Sequence, residues 1–203
     1  MKSGAQTTVR GEHFLHKELW RVVERQEEQA AAVRTGRFYN DLAAMIFAFL
    51  TLEGYLNFVG QRLAPEDWKN ERVHFAKSGF EGKLLKILEL TGLTPDRQKR
   101  PFTTVYELKA LRDRIVHAKT ETFQRTLNHG THRAPSLHRV PLDTIVNEKR
   151  SKIAAEDVKK FIEEIHAAAK KKFHDPWFGN KPFGGIMMHA SGSTQLVPAA
   201  LAV

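Results

Sequence analysis

The longest apolar run of the chain, residues 42–59, constrains the fold more than any other feature. It reads LAAMIFAFLTLEGYLNFV and is interrupted by Glu53 and Asn57. A membrane span needs about 20 mostly apolar residues, and a carboxylate near its centre is costly. The run therefore predicts a helix over residues 40–61 that is buried at the centre of a soluble helical bundle.

Helical spacing of apolar residues predicts four more helices. They span residues 13–34, 80–90, 104–119 and 154–173. Gly36 and Gly92 are expected breaks, and Thr104 with Glu107 has the spacing of a capping box. No alternating strand pattern competes with these segments, so the expected fold is all-α, a bundle of about five helices.

The bundle is expected to occupy residues 10–175 as one domain. From residue 176 to 203 Pro, Gly, Ser and other small residues replace the helical pattern until the short VPAALAV end. We expect this segment to be an irregular tail that is loosely ordered or packed on a partner.

Composition narrows the chemistry that the chain can perform. It contains no cysteine, which excludes a thiolate nucleophile and a zinc–thiolate site, and the expected location is the cytoplasm. The formal charge is +9, and residues 97–139 hold ten Lys or Arg against three Asp or Glu. This basic region favours a polyanion such as nucleic acid as the partner, with an ordinary solvated face as the alternative.

The most distinctive motif is LRDRIVHAK at residues 111–119, near the end of the fourth predicted helix. It holds Arg112, Asp113 and His117 in an apolar frame. This R-x4-H pattern resembles the motif of the HEPN superfamily of helical domains. Glu53 and Asn57 in the central helix also resemble the polar residues that punctuate the central helix of many HEPN domains. The likeness in sequence covers residues 42–60 and 105–119, and a pattern of helices extends it over about residues 10–175.

The resemblance implies a metal-independent endoribonuclease with a toxin, defence or RNA-processing role. By resemblance, His117 is the acid–base residue and Arg112 stabilises the phosphate. These types suit the reaction, because histidine titrates near neutral pH and the guanidinium fork stays charged on phosphate oxygens. Asp113 lies one helical turn before His117 and is expected to orient the imidazole and raise its pKa.

Helix geometry bears on whether one chain can form the whole site. Arg112 and His117 are about 140° apart around a helix, so they do not lie side by side. One chain also supplies a single motif histidine for two proton transfers. HEPN nucleases pair two motifs across a dimer, and the resemblance therefore implies a two-fold homodimer whose interface involves the fourth helix. The alternatives are structural: a helix-terminal His117 held by local hydrogen bonds, and an Arg112 paired with Glu107, Asp113 or Glu53.

Glu53 and Asn57 are expected to support the motif. A buried carboxylate requires a partner, and Arg112 is the predicted one, with any other basic residue as the alternative. Further basic residues are predicted to contact nucleic acid: Lys109, Arg114, Lys119, Arg125, Arg133 and Arg139. The loop after the motif also holds His129, His132 and His138, but no Asp or Glu accompanies them between residues 122 and 140. We therefore predict no metal site and no cofactor.

Two other classes of function remain open. The chain could be a non-catalytic HEPN-like module that binds nucleic acid, a nucleotide or a protein. It could also be a helical assembly module whose tail contacts a partner. An antitoxin or a nucleotidyltransferase partner follows from the resemblance, and a membrane partner is not expected.

Overall fold

The computed structural model describes residues 4–118, 120, 122, 141–172, 179, 181–184 and 188–197. Within them the chain forms eight helices and two strands. In chain order they are β1 Gly4–His13, α1 Leu15–Ala32, α2 Arg37–Leu63, α3 Pro65–Lys69, α4 Glu71–His74, α5 Gly79–Thr91, α6 Phe102–Val116, α7 Pro141–Ile145, α8 Glu148–Lys172 and β2 Met188–Val197. The all-α helical bundle predicted from the sequence is confirmed.

Helix α2 is the central element, as its apolar run predicts. It packs against α1, α3, α5, α6 and α8, and twelve of its residues are buried. By length and composition α2 could also span a membrane, but the buried core helix of a helical bundle meets the same two criteria. Tyr55, Phe49 and Leu52 of α2 are among the largest fully buried side chains, and Phe161 of α8 is another. The hydrophobic core therefore lies between α2 and the helices around it.

The predicted breaks mark helix ends in the structure. Gly36 precedes α2 with φ 82°, and Gly92 ends α5 with φ 73°, both in the left-handed region that glycine adopts without strain. The predicted capping box is wrong. Helix α6 begins two residues earlier, after Pro101, and the Thr104 hydroxyl donates to the buried carboxylate of Asp157 on α8. A long-range partner thus replaces the local cap.

The two ends of the described chain form a strand pair that the sequence analysis did not anticipate. β1 and β2 run antiparallel, in register from Gly4 opposite Val197 to His13 opposite Met188. Just before β2, residues 181–184 pack on α1, where the Phe183 ring lies 4.6 Å from the Trp20 ring, centroid to centroid. Part of the predicted tail thus contacts the bundle of its own chain.

Candidate functional site

The predicted motif lies at the end of α6, which stops at Val116. His117 is the residue after the helix, and its backbone N–H donates to the carbonyl oxygen of Asp113 at 3.0 Å. Its imidazole is exposed to solvent and has no hydrogen-bond partner among the described residues. The helix end therefore presents a histidine ring that a substrate or a second chain can reach.

Arg112 is held in the opposite way, by two carboxylates and a ring. Its Nη2 lies 2.8 Å from Glu53 Oε1 and its Nη1 lies 2.8 Å from Asp113 Oδ1. Its guanidinium carbon lies 5.6 Å from the centroid of the Phe49 ring. Burial disfavours its charged form, but the bonds to Glu53 and Asp113 outweigh burial and the pKa of Arg112 is raised. The predicted Arg112–Glu53 pair is confirmed, and it ties α6 to α2.

Asp113 does not take the role predicted for it. Its carboxylate accepts from Lys109 Nζ at 2.7 Å and from Arg112, and no bond to the His117 ring is present among the described residues. The bond from Lys109 is the main reason that the pKa of Asp113 is lowered. The prediction that Asp113 orients the imidazole of His117 is therefore wrong for this chain alone, because Lys109 and Arg112 are the nearer cations. Asp113 positions Arg112 instead.

Asn57 lies one turn after Glu53 on α2 but bonds to other residues. Its Oδ1 accepts from Trp68 Nε1 at 3.2 Å and from Lys83 Nζ at 2.9 Å. A methyl group at Gly60 would lie 2.0 Å from the Trp68 indole, so this glycine is what allows α3 to pack so closely on α2. The local backbone therefore places the indole against the Asn57 amide.

An open cleft of about 410 Å3 lies beside Arg112, between α2, α4, α5 and α6. Its polar lining includes Glu53, Asn57, Arg72, Lys83 and Arg112. Phe75 and Phe80 supply an apolar wall. His117 is not among the described residues that line it, in agreement with the wide angle between Arg112 and His117 on the helix. One chain therefore brings Arg112, Glu53 and Asn57 to one cleft and leaves His117 apart from them.

The other predicted nucleic-acid contacts divide into two groups. Lys109 is bound to Asp113, and Arg114 is half-buried near the end of α6. Four lie outside the described residues, as do the three histidines of the same loop: Lys119, Arg125, Arg133 and Arg139, with His129, His132 and His138.

Two buried histidines escaped the sequence analysis. His16 is 2% exposed and its Nε2 donates to the carbonyl oxygen of Pro182 at 3.2 Å. His166 is 4% exposed, and its Nδ1 lies 2.9 Å from the hydroxyl of the fully buried Tyr55. Burial lowers the pKa of both rings, to about 4 for His16. Both remain neutral near pH 7 and serve the core; their only sequence signal was a polar residue on an apolar helix face.

Comparison of the chain with protein-family models, with curated proteins and with solved structures found no match.

Proposed function

We propose that this protein is a metal-independent endoribonuclease of HEPN type that acts as a two-fold homodimer. The observation that carries the proposal is Arg112, fixed by Glu53 and Asp113 at the edge of a cleft, one and a half helical turns before an exposed His117. Cleavage without a metal uses the 2′-hydroxyl of RNA as nucleophile. It requires proton transfer to and from oxygen, and a positive charge beside the phosphorane to stabilise the negative charge that develops on its oxygens.

Arg112 supplies the positive charge. Its guanidinium is preorganised by two carboxylates, so little conformational freedom is lost when it meets a phosphate oxygen. A guanidinium has five N–H donors, and the two bonds to Glu53 and Asp113 leave others for the substrate. Glu53 is accordingly a positioning residue, and Asp113 is a second one.

His117 supplies the proton transfers. Two copies of the chain are needed, because one His117 cannot serve as both base and acid in a single step and does not line the Arg112 cleft of its own chain. A two-fold axis near the end of α6 would bring two Arg112–His117 sets into one site. Val116 is 62% exposed beside the motif and supplies apolar surface for such a contact.

The test is incubation of the purified protein with mixed RNA in EDTA. The variants are His117→Ala and Arg112→Ala, and the matched controls are His74→Ala and Arg25→Ala, which remove an exposed histidine and an exposed arginine elsewhere. We expect cleavage by the wild type and by both controls, and none by the two motif variants. Intact RNA with the wild type would contradict the proposal.

A second candidate is a non-catalytic module that binds RNA with the same surface. The engagement of the Arg112 and Asp113 side chains with each other favours it, because neither side chain bonds to the imidazole of His117. Such a module would bind RNA with a strong salt dependence that survives His117→Ala, and would not cleave it at any pH. An antitoxin or nucleotidyltransferase partner, like the cytoplasmic location, remains a prediction under either candidate.

A further inference from the structure

The orientation of the Asn57 amide follows from the chemistry of its neighbours. Trp68 Nε1 and Lys83 Nζ are donors and cannot accept a hydrogen bond. Both lie within bonding distance of one atom of the Asn57 amide, which must therefore be its oxygen. The NH2 group points the other way and has no acceptor among the described residues. Asn57 lines both this cleft and a second one beside Arg62, and its oxygen is the atom that holds Lys83 in the first.

The charges of the cleft are partly compensated. Lys83 is 14% exposed and forms an ion pair with Glu71, and Arg112 forms its pair with Glu53. Arg72 also lines the cleft, is exposed, and has no carboxylate partner among the described residues. The lining therefore keeps one uncompensated positive charge, which belongs to Arg72.

We infer that Arg72 and Lys83, the latter held in place by the Asn57 oxygen, form a phosphate-binding subsite next to Arg112. The Arg72 guanidinium and the remaining N–H of Lys83 are free to donate there, and the three cations of the lining outnumber its two carboxylates, Glu53 and Glu71. A phosphate is the complementary ligand, because its oxygens only accept and its negative charge matches the excess charge of Arg72. A cleft of about 410 Å3 also has room for a nucleoside attached to that phosphate, along the wall of Phe75 and Phe80.

The subsite would bind one phosphodiester of the RNA that is not cleaved. This assignment to RNA rests on the proposed function. Arg112 faces the scissile phosphate, and the subsite holds a neighbouring phosphate of the same strand. Phosphate contacts of this kind fix the register of a nucleic acid on the protein without reading its sequence. A free nucleotide carries the same phosphate chemistry, so the experiment must distinguish the two sources.

The experiment measures binding rather than cleavage and uses the full chain with His117→Ala. The probe is a fluorescein-labelled RNA 10-mer followed by anisotropy over a range of salt concentrations. Added to this background are Arg72→Ala and Asn57→Asp, with Lys77→Ala as the matched control, since Lys77 is an exposed cation that does not line the cleft. Asn57→Asp keeps an oxygen for Trp68 and Lys83 but adds a negative charge that repels a phosphate from the lining.

We expect Arg72→Ala to weaken RNA binding about tenfold and to reduce the salt slope by about 0.7, the value for one contact to a single strand. Asn57→Asp should weaken it at least as much, whereas Lys77→Ala should leave both quantities close to the background. Thermal unfolding at an unchanged temperature shows that each variant is folded. Unchanged affinity and salt slope in both cleft variants, or no binding of any probe, would overturn the subsite.

Uridine 5′-monophosphate as a competitor separates the sources. Competition that requires Arg72 assigns the subsite to a free nucleotide, and competition by unlabelled 10-mer alone assigns it to an RNA chain. The cleavage assay reports independently on the nuclease. Cleavage of RNA by the wild type, together with unchanged RNA binding in both cleft variants, upholds the proposed function and rejects the subsite. RNA binding that depends on Arg72, with no cleavage of RNA by the wild type, upholds the subsite and rejects the nuclease.

Discussion

Histidine occurs in this molecule in two contrasting regions. At the end of α6, the His117 ring is exposed and has no hydrogen-bond partner among the described residues. Between α1, α2 and α8, His16 and His166 are almost fully buried, and each ring is held by a hydrogen bond, to the carbonyl of Pro182 and to the hydroxyl of Tyr55. The residue type is the same, but solvent and partners differ.

The difference shows which histidine can exchange protons with a substrate. Burial lowers the pKa of His16 and His166, so near neutral pH both rings are neutral and contribute to packing. His117 is accessible and lies in the basic segment that the sequence analysis identified. The proposed catalysis should therefore depend on the exposed ring, and the pH dependence of stability on the buried ones.

The largest expected effect is on catalysis at the exposed ring. His117→Ala should lower the rate of RNA cleavage by a factor of about 10² to 10⁴, or about 3–5 kcal/mol in activation free energy, because a general acid–base group is lost. The free energy of unfolding should change by less than about 0.5 kcal/mol, since surface substitutions have small effects. Single-turnover rates and urea denaturation measure the two quantities. Equal losses of rate and stability would make His117 a structural residue like His16.

The next effect concerns acid stability at His16. Its pKa is about 4 in the folded chain and 6.5 unperturbed; burial is the main cause, and the charges of Lys17 and Arg62 and the nearby His166 lower it further. Between these values the unfolded chain binds more protons, so the free energy of unfolding falls as the pH falls. The stability lost from pH 6.5 to 4 is about 3 kcal/mol.

Urea denaturation across this range can isolate the contribution of His16. In His16→Gln, whose amide can still donate to the Pro182 carbonyl, the loss over the same range should be smaller by about 3 kcal/mol than in the wild type. His74→Gln, at an exposed ring, should reproduce the wild-type slope. Parallel curves for wild type and His16→Gln would show that His16 does not control acid stability.

A smaller effect is expected from the hydroxyl that holds His166. Tyr55→Phe removes one hydrogen bond between two buried groups and leaves His166 Nδ1 without this partner, at a cost of about 1–2 kcal/mol. Tyr39→Phe is the matched control, because Tyr39 is 72% exposed and its hydroxyl is solvated. Thermal unfolding of both variants measures the difference. Equal stabilities would mean that the Tyr55–His166 bond contributes nothing net to the fold.

The fold was predictable from the sequence to the extent that it depends on local pattern. The five long helices follow from apolar spacing, and α2 lies at the centre because its run is apolar around most of its circumference. The strand pair was not predictable, since each residue of β1 finds its partner more than 170 positions along the chain. Alternation of apolar and polar residues is weak in both segments, so no local signal marked them as strands.

The candidate site was predictable where charge decided the contact. A carboxylate in the apolar run of α2 needs a cation, so the sequence predicts a basic partner for Glu53, and the structure shows that Arg112 is that partner rather than another basic residue. Asp113 and Thr104 each have several possible partners in the sequence. In the structure Asp113 accepts from Lys109 and Arg112, and Thr104 donates to Asp157. Only the packing of the helices decides between such alternatives.

The smallest expected effect concerns the ion pair beside the motif. Lys109 lies one turn before Asp113 on α6, and both side chains are 35% exposed. An exposed pair at this spacing contributes about 0.3–0.5 kcal/mol, so Lys109→Ala should lower the free energy of unfolding by no more than that at pH 7. The pKa of Asp113 is lowered by the Lys109 bond, so the contribution is present above the unperturbed value of 3.8 and disappears as the pH falls through the folded value. Urea denaturation at pH 7 and in acid should therefore show a small difference from wild type that vanishes in acid.

Lys152→Ala is the control for this pair, because Lys152 forms an exposed pair of the same spacing with Glu148 on a different helix, α8. The two variants should lose similar stability, since both pairs are solvated and neither holds a buried group. A loss above about 1 kcal/mol for Lys109→Ala alone would mean that Asp113 depends on Lys109 to hold Arg112 against Glu53. The contacts at the exposed end of α6 would then contribute to stability as the hydrogen bonds of His16 and His166 do. Lys109 would link the free energy of unfolding to the position of the proposed catalytic arginine, Arg112.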